Sequence, residues 1–174
     1  MAALDSGVLK IIIAGAGKSA SDGKHKEFFM EPEISSAQWL QEEINFINTE
    51  KADTLNGRLK ASFVFCDETS KEITLSFPLQ DWQVNGLGTL HGGMLNVMMD
   101  LAMSMVVYCF SRKSIPPTIT MTSNYIRPVA MDGEVRVKAK LTSLGRRNAT
   151  AYSEAILPAT GKTEATAVGT YSVL

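Results

Sequence analysis

The chain has 174 residues, 45% of them apolar and 20% charged, and a formal net charge of −1. These are the proportions of an ordinary soluble domain, long enough to bury a core without a metal or a disulfide, and the near-zero charge excludes a whole-surface attraction to nucleic acid or anionic membrane. The two cysteines, Cys66 and Cys109, each sit in an apolar stretch, and with only His25 and His91 beside them they exclude a Cys/His zinc site and read as reduced thiols in a reducing, cytoplasmic setting.

The apolar run Val8–Ala14 is too short to span a bilayer, comes late for a signal peptide and lacks a basic flank. Gly15-Ala16-Gly17-Lys18-Ser19 resembles the end of a phosphate loop, but Ile12 occupies the position of its first glycine. Residues 1–33 are therefore expected to form a flexible or lightly packed arm ahead of a single domain over 34–174. Four lysines and no arginine against eight carboxylates in residues 1–50 are the reverse of a nucleic-acid-reading arm. A helix is expected over 36–48: Ser35 is a good N-cap, Gln38 completes a capping box, Ile34 and Trp39 suit a hydrophobic staple, and Ala37, Leu40, Ile44 and Ile47 share a face.

From residue 57 the period changes to two. Leu59, Ala61, Phe63 and Phe65, then Ile73, Leu75, Phe77 and Leu79, predict a half-buried antiparallel hairpin. Four more alternating or β-branched runs, near 118–128, 133–144, 147–157 and 163–173, are separated by Pro and Gly turns. Between the hairpin and these runs, Gly92–Phe110 is apolar almost all round and holds five of the nine methionines. A helix apolar on every side is buried on every side. Gly92, Asn96, Asp100 and Ser104 recur every fourth residue and draw a polar line down it, which argues against a membrane span. The expected fold class is α+β, a long central helix wrapped by about six antiparallel strands, with an extra N-terminal helix.

The segment Asn85-Gly-Leu-Gly-Thr-Leu-His91-Gly92-Gly93, with Asp100 following, resembles the hotdog-fold acyl-CoA thioesterases of the PaaI type, over roughly residues 50–174. Asn124-Tyr125-Ile126-Arg127-Pro128 is similar to the same family. The resemblance implies hydrolysis of an acyl-coenzyme A to free acid and coenzyme A, with no cofactor and no metal, since coenzyme A is part of the substrate. It also implies that Asp100 is the catalytic carboxylate, that Thr118 (or its neighbour Thr120) is the small hydroxyl that orients water, and that two-fold dimers pair again into tetramers.

Chemistry agrees with that assignment. Backbone N–H groups at a helix start have no intrahelical partner and point out at the positive end of the dipole, so Gly92 and Gly93 are expected to form an oxyanion hole that a substrate carbonyl can approach closely. Asp100, in an apolar helix, is too costly to bury without a task; it is read as general base or nucleophile, the bland alternative being a structural carboxylate at a subunit seam. Seven residues separate Gly93 from Asp100, about 10 Å along a helix, so each site is expected to combine Asp100 of one subunit with the helix start of its two-fold mate. His91 is read as a positioning residue that bonds backbone or Asn85. Asn85 is either an orienter of water or carbonyl, or a turn former. Arg127, Arg146 and Arg147 could meet the coenzyme A phosphates or be solvated surface charge, and methionines of the helix are expected to line the acyl pocket. The alternative function is a non-catalytic acyl-CoA-binding regulatory module on a hotdog core, motivated by the extra helix.

Overall fold

The computed structural model describes residues 34–173. Contacts divide the chain between residues 33 and 34; the arm expected over 1–33, with its apolar run and its Gly-Lys motif, lies outside the described residues.

Helix α1 runs Ser36–Glu50, two residues past the expected end. Ser35 caps it, its Oγ accepting from the Gln38 N–H at 3.2 Å. The Gln38 side chain, instead of returning to the Ser35 N–H, donates to Glu42 at 3.4 Å, and one residue on the Ser36 N–H donates to Glu68 Oε1 at 2.9 Å. Leu40, Ile44 and Ile47 are buried as their spacing predicts, with Ala37 half-buried. Trp39 meets Tyr108 edge-on at 4.7 Å between ring centroids.

The first strand begins later than alternation alone predicts. Leu55–Arg58 form a short helix, α2, capped by Thr54, and Lys60 takes a left-handed φ of 51°, so β1 spans Ser62–Asp67. Phe63 pairs with Leu75 but Phe65 pairs with Thr74, a register shift at Val64. The extra residue reverses the alternation: Phe65, expected on the dry face, is 50% exposed, and Cys66 takes the inward place opposite Ile73. In β2, Glu72–Pro78, Ile73, Leu75 and Phe77 are fully buried.

Helix α3 covers Gly92–Ser111. Strands β3 (Thr118–Tyr125), β4 (Glu134–Leu144), β5 (Asn148–Leu157) and β6 (Lys162–Ser172) follow, close to the four expected runs. All six strands form one antiparallel sheet in the order β1-β2-β4-β5-β6-β3. On β4, Val135, Val137, Ala139 and Leu141 are buried while Arg136, Lys138 and Lys140 are exposed, giving one dry and one wet face. Helix α3 lies on the dry face, mainly over β4 and β5. Its mean hydropathy of 1.5 and its length would suit a bilayer, yet ten of its residues, among them Met98, Met99, Met103 and Val106, are buried in the domain core. Each such side chain contributes about 1.5–3 kcal/mol on burial, so this helix is the centre of the fold. The α+β hotdog arrangement read from the sequence is the one present.

Candidate active site

The loop before α3 is built by Asn85. Its Oδ1 accepts from the N–H groups of Leu87 at 2.8 Å and Thr89 at 3.2 Å, and its Nδ2 donates to Thr89 Oγ1 at 2.9 Å. The backbone repeats the closure, Asn85 N–H to Thr89 O at 2.8 Å, and Gly88 supplies the left-handed turn at φ 75° that a side chain would resist. The Asn85 side chain is thus bonded within the loop. Leu90 N–H to Val129 O at 2.9 Å and His91 N–H to Gln83 O at 2.8 Å pin the loop's exit on both sides.

His91 is the N-cap of α3, and its Nδ1 accepts from the Gly93 N–H at 2.9 Å. The bond requires Nδ1 to carry no proton. Met94 and Leu95 donate to the His91 carbonyl. The expected pair of free donors therefore reduces to one: Gly93 is occupied by His91, and Gly92 N–H alone in the first turn has no partner among the described residues. Tyr125 OH donates to the Gly92 carbonyl at 3.0 Å, which seats the ring against the helix start; a Cβ on Gly92 would meet that ring at an ordinary contact distance of 3.4 Å. Around this point lies a cavity of about 330 Å³ lined by Asn85, Leu90, Gly92, Leu95, Tyr125 and Arg127, among others, within the range of small-ligand pockets. No methionine lines it; Met98, Met99, Met103 and Met105 are buried in the core, and Met94 is partly buried against it.

The polar line of α3 faces edge strand β3. Asn96 accepts from Ser123, Ser104 turns back onto Leu101 O at 2.9 Å, and Asp100 is held by two donors. Thr118 Oγ1 and Tyr171 OH each reach Asp100 Oδ1 at 2.9 Å. Oδ2 has no partner among the described residues. Burial, and then the charge of Asp100, push the Tyr171 hydroxyl far above its usual range, so the phenol stays protonated and donates. Thr120, the neighbouring option to Thr118, is exposed and faces Thr170 across the ladder. Tyr171 is the residue that sequence reasoning missed: its register partner is Thr118, but nothing local ties it to a helix 71 positions away.

The arginines part company. Arg127 borders the cavity, its Nη1 donating to Thr163 O at 2.6 Å. Arg146 and Arg147 are exposed in the β4–β5 turn, where Arg147 O accepts from Val173 N–H at 2.7 Å. They thus stand at opposite ends of β6. Among the described residues no three His, Cys, Asp or Glu side chains gather as a metal would need.

The Thioesterase superfamily matches residues 87–157, from the loop through the end of β5. Mouse acyl-coenzyme A thioesterase 13 is 25% identical over 92 residues, which are 53% of this chain and 66%, just under two-thirds, of the mouse protein. The structure of zebra fish thioesterase superfamily member 2 superposes with a TM-score of 0.68 at 20% identity, covering 77% of this chain and 98% of that one. The Escherichia coli PaaI protein from the phenylacetic acid degradation operon gives 0.67 at 18%, covering 82% and 96%. At such identities the two structures speak for the fold. Family match, curated relative and solved folds point the same way: the chain is similar to the thioesterases and has a hotdog fold like that of PaaI.

Proposed function

We propose that the chain hydrolyses an acyl-coenzyme A to the free acid and coenzyme A, in two equivalent sites shared across a homodimer. The observation that carries this reading is that the one helix-start amide without a partner among the described residues, Gly92 N–H, and a carboxylate with one oxygen likewise unpartnered there, Asp100, lie on the same polar line of α3. Eight residues apart, they are about 12 Å from each other along the axis, beyond the reach of a single thioester carbonyl. A two-fold mate docked on the open side of β3 brings the Asp100 of one copy to the Gly92 of the other.

In that site Gly92 N–H holds the carbonyl oxygen and takes up the charge that develops on it. Asp100 Oδ2 accepts a proton from water as the water oxygen bonds to the acyl carbon, or bonds to that carbon itself and is freed by water afterwards. Collapse of the tetrahedral species breaks the carbon–sulfur bond, and the thiolate leaves as the coenzyme A thiol once protonated. His91, as N-cap, and Asn85, as loop former, keep the helix start in place; Arg127 stands where a phosphate entering the cavity would pass, with Arg146 and Arg147 available from the mate's far end. The reading includes a second pairing into a tetramer and work in the cytoplasm, where Cys66 and Cys109 stay free thiols.

Thiol release from short, long and aromatic acyl-CoAs tests it. Asp100→Asn is expected to lower kcat by about 10²–10⁴-fold; equal rates in the two proteins would refute the mechanism. Saturable acyl-CoA binding without turnover by the wild type would favour the regulatory module instead. Single turnover in ¹⁸O-water reads out direct attack followed by hydrolysis at the Asp100 carboxyl carbon, the route that puts an unlabelled Asp100 oxygen into the product.

A further inference from the structure

We infer that Tyr171, seated over Gly169, is a positioning residue that fixes which oxygen of Asp100 is presented to the reacting acyl group. The inference rests on the reading of Asp100 as the reacting carboxylate. A carboxylate turns easily about its last bond, whose torsion is broad and two-fold. Here two donors, Thr118 Oγ1 and Tyr171 OH, both at 2.9 Å, converge on Oδ1 and leave Oδ2 open. Thr118 and Tyr171 are direct register partners across β3 and β6, so the sheet holds the two hydroxyls side by side at a single point under the helix.

The strand is shaped to deliver that hydroxyl. On the dry face of β6 the side chains alternate as Ala165, Ala167, Gly169 and Tyr171, all buried, with residues two apart on one side of the pleat. A Cβ on Gly169 would fall 2.8 Å from Tyr171 Cε2 and 2.9 Å from its hydroxyl oxygen. The ring therefore lies back along its own strand, over the space that only glycine leaves. Tyr171 is fully buried, and burial together with the neighbouring Asp100 charge keeps its phenol protonated. An O–H donor to a carboxylate in such surroundings is among the stronger hydrogen bonds a protein makes. Small residues along the strand let α3 approach, and the one large side chain stands where the helix carries its acid.

The test is Tyr171→Phe, which keeps the ring over Gly169 and removes the hydroxyl, with Thr118→Val as a second probe that deletes the other donor at nearly the same side-chain volume. Each is expected to lower kcat by about 10- to 100-fold, the loss of one hydrogen bond to a charged group, at an unchanged KM for the best acyl-CoA of the panel. A residue that merely fills the core would move the melting temperature and leave kcat per folded protein alone. In an Asp100→Asn background Tyr171→Phe is expected to cost nothing further. Wild-type kcat in Tyr171→Phe, or an equal loss in both backgrounds, overturns this inference while a slow Asp100→Asn keeps the reading of Asp100 intact. Wild-type turnover by Asp100→Asn overturns both.

Discussion

The sheet has two edges, and the protein treats them differently. Both edge strands carry a register shift, β1 between Phe63 and Phe65 and β3 between Thr118 and Thr120. Helix α1 clasps both ends of β1 while Val64 and Phe65 stay exposed between them: Asn48 Nδ2 donates to Ala61 O at 2.8 Å just before the strand, and Ser36 N–H donates to Glu68 just after it. Trp39 and Arg112 lock the same corner, the guanidinium 4.8 Å from the ring centroid. The β3 side is left open. No described strand pairs beyond β3, Ile119 and Tyr125 are about half exposed, as is Val168 beside them on β6, and the inward hydroxyls of Thr118, Ser123 and Tyr125 all bond to the polar line of α3. An exposed edge is an aggregation hazard unless something covers it. One edge is tied at both ends to the chain's own helix and serves stability; the other carries the candidate chemistry and is the side on which the proposed mate docks.

The largest break in that comparison is expected from Gly92→Pro. Proline is tolerated at the first helical position; it removes the amide hydrogen, and its Cβ would stand in ordinary contact with the Tyr125 ring at 3.4 Å, so kcat is expected to fall about 10²–10³-fold with the helix content by circular dichroism unchanged. Mixing this inactive protein with inactive Asp100→Asn after subunit exchange is expected to restore activity, because each mixed dimer then holds one complete site. No recovery would place both groups of a site in one chain. On the clasped edge the expected effect is on folding alone. Trp39→Ala removes the contact with Tyr108 and with Arg112 and should cost about 2–3 kcal/mol in urea unfolding, below the full burial value because the ring is only partly covered, while kcat per folded molecule stays put.

The smallest effect belongs to the wet face between the edges. Glu72 lies 3.0 Å from Lys138 and 3.4 Å from Lys140. The hydrogen bond from Lys138, more than any other contact, holds its carboxyl below the ordinary 4.5. A depressed acid contributes stability above its unfolded value and loses it as pH falls through the folded one. The melting temperature of the wild type should therefore drop more than that of Glu72→Gln as pH falls from about 5 toward 3, and the two curves should run parallel above pH 6. A steeper fall in the variant would put the acid sensitivity elsewhere.

Much of the fold is legible in the chain because its signals are local. The all-apolar run at 92–110 and the period-two runs after 116 follow from side chains sharing a face of one element, and the Asn85, His91-Gly92-Gly93 and Asp100 spacing is visible without any fold at all. His91 capping Gly93 was within reach too, since a side-chain acceptor just before a helix commonly takes the amide two residues on. The errors lie where neighbours in space decide. Phe65 follows the alternation and yet faces out, because the bulge at Val64 is a property of the β1–β2 pair and not of β1. The start of that strand gave way to α2, where Thr54 caps a turn that the alternating pattern hides.

By itself the sequence determined the elements, their dry faces and the polar line Gly92, Asn96, Asp100 and Ser104, because periodicity is written within one helix or strand. Only the tertiary structure decided what those polar groups meet. The register of β3 on β6 sets Thr118 beside Tyr171, the space over Gly169 lets the tyrosine ring lie down, and α3 crossing above delivers Asp100 to both hydroxyls. Three segments far apart in the chain converge on one oxygen, and such a convergence is fixed by packing, which no local pattern encodes.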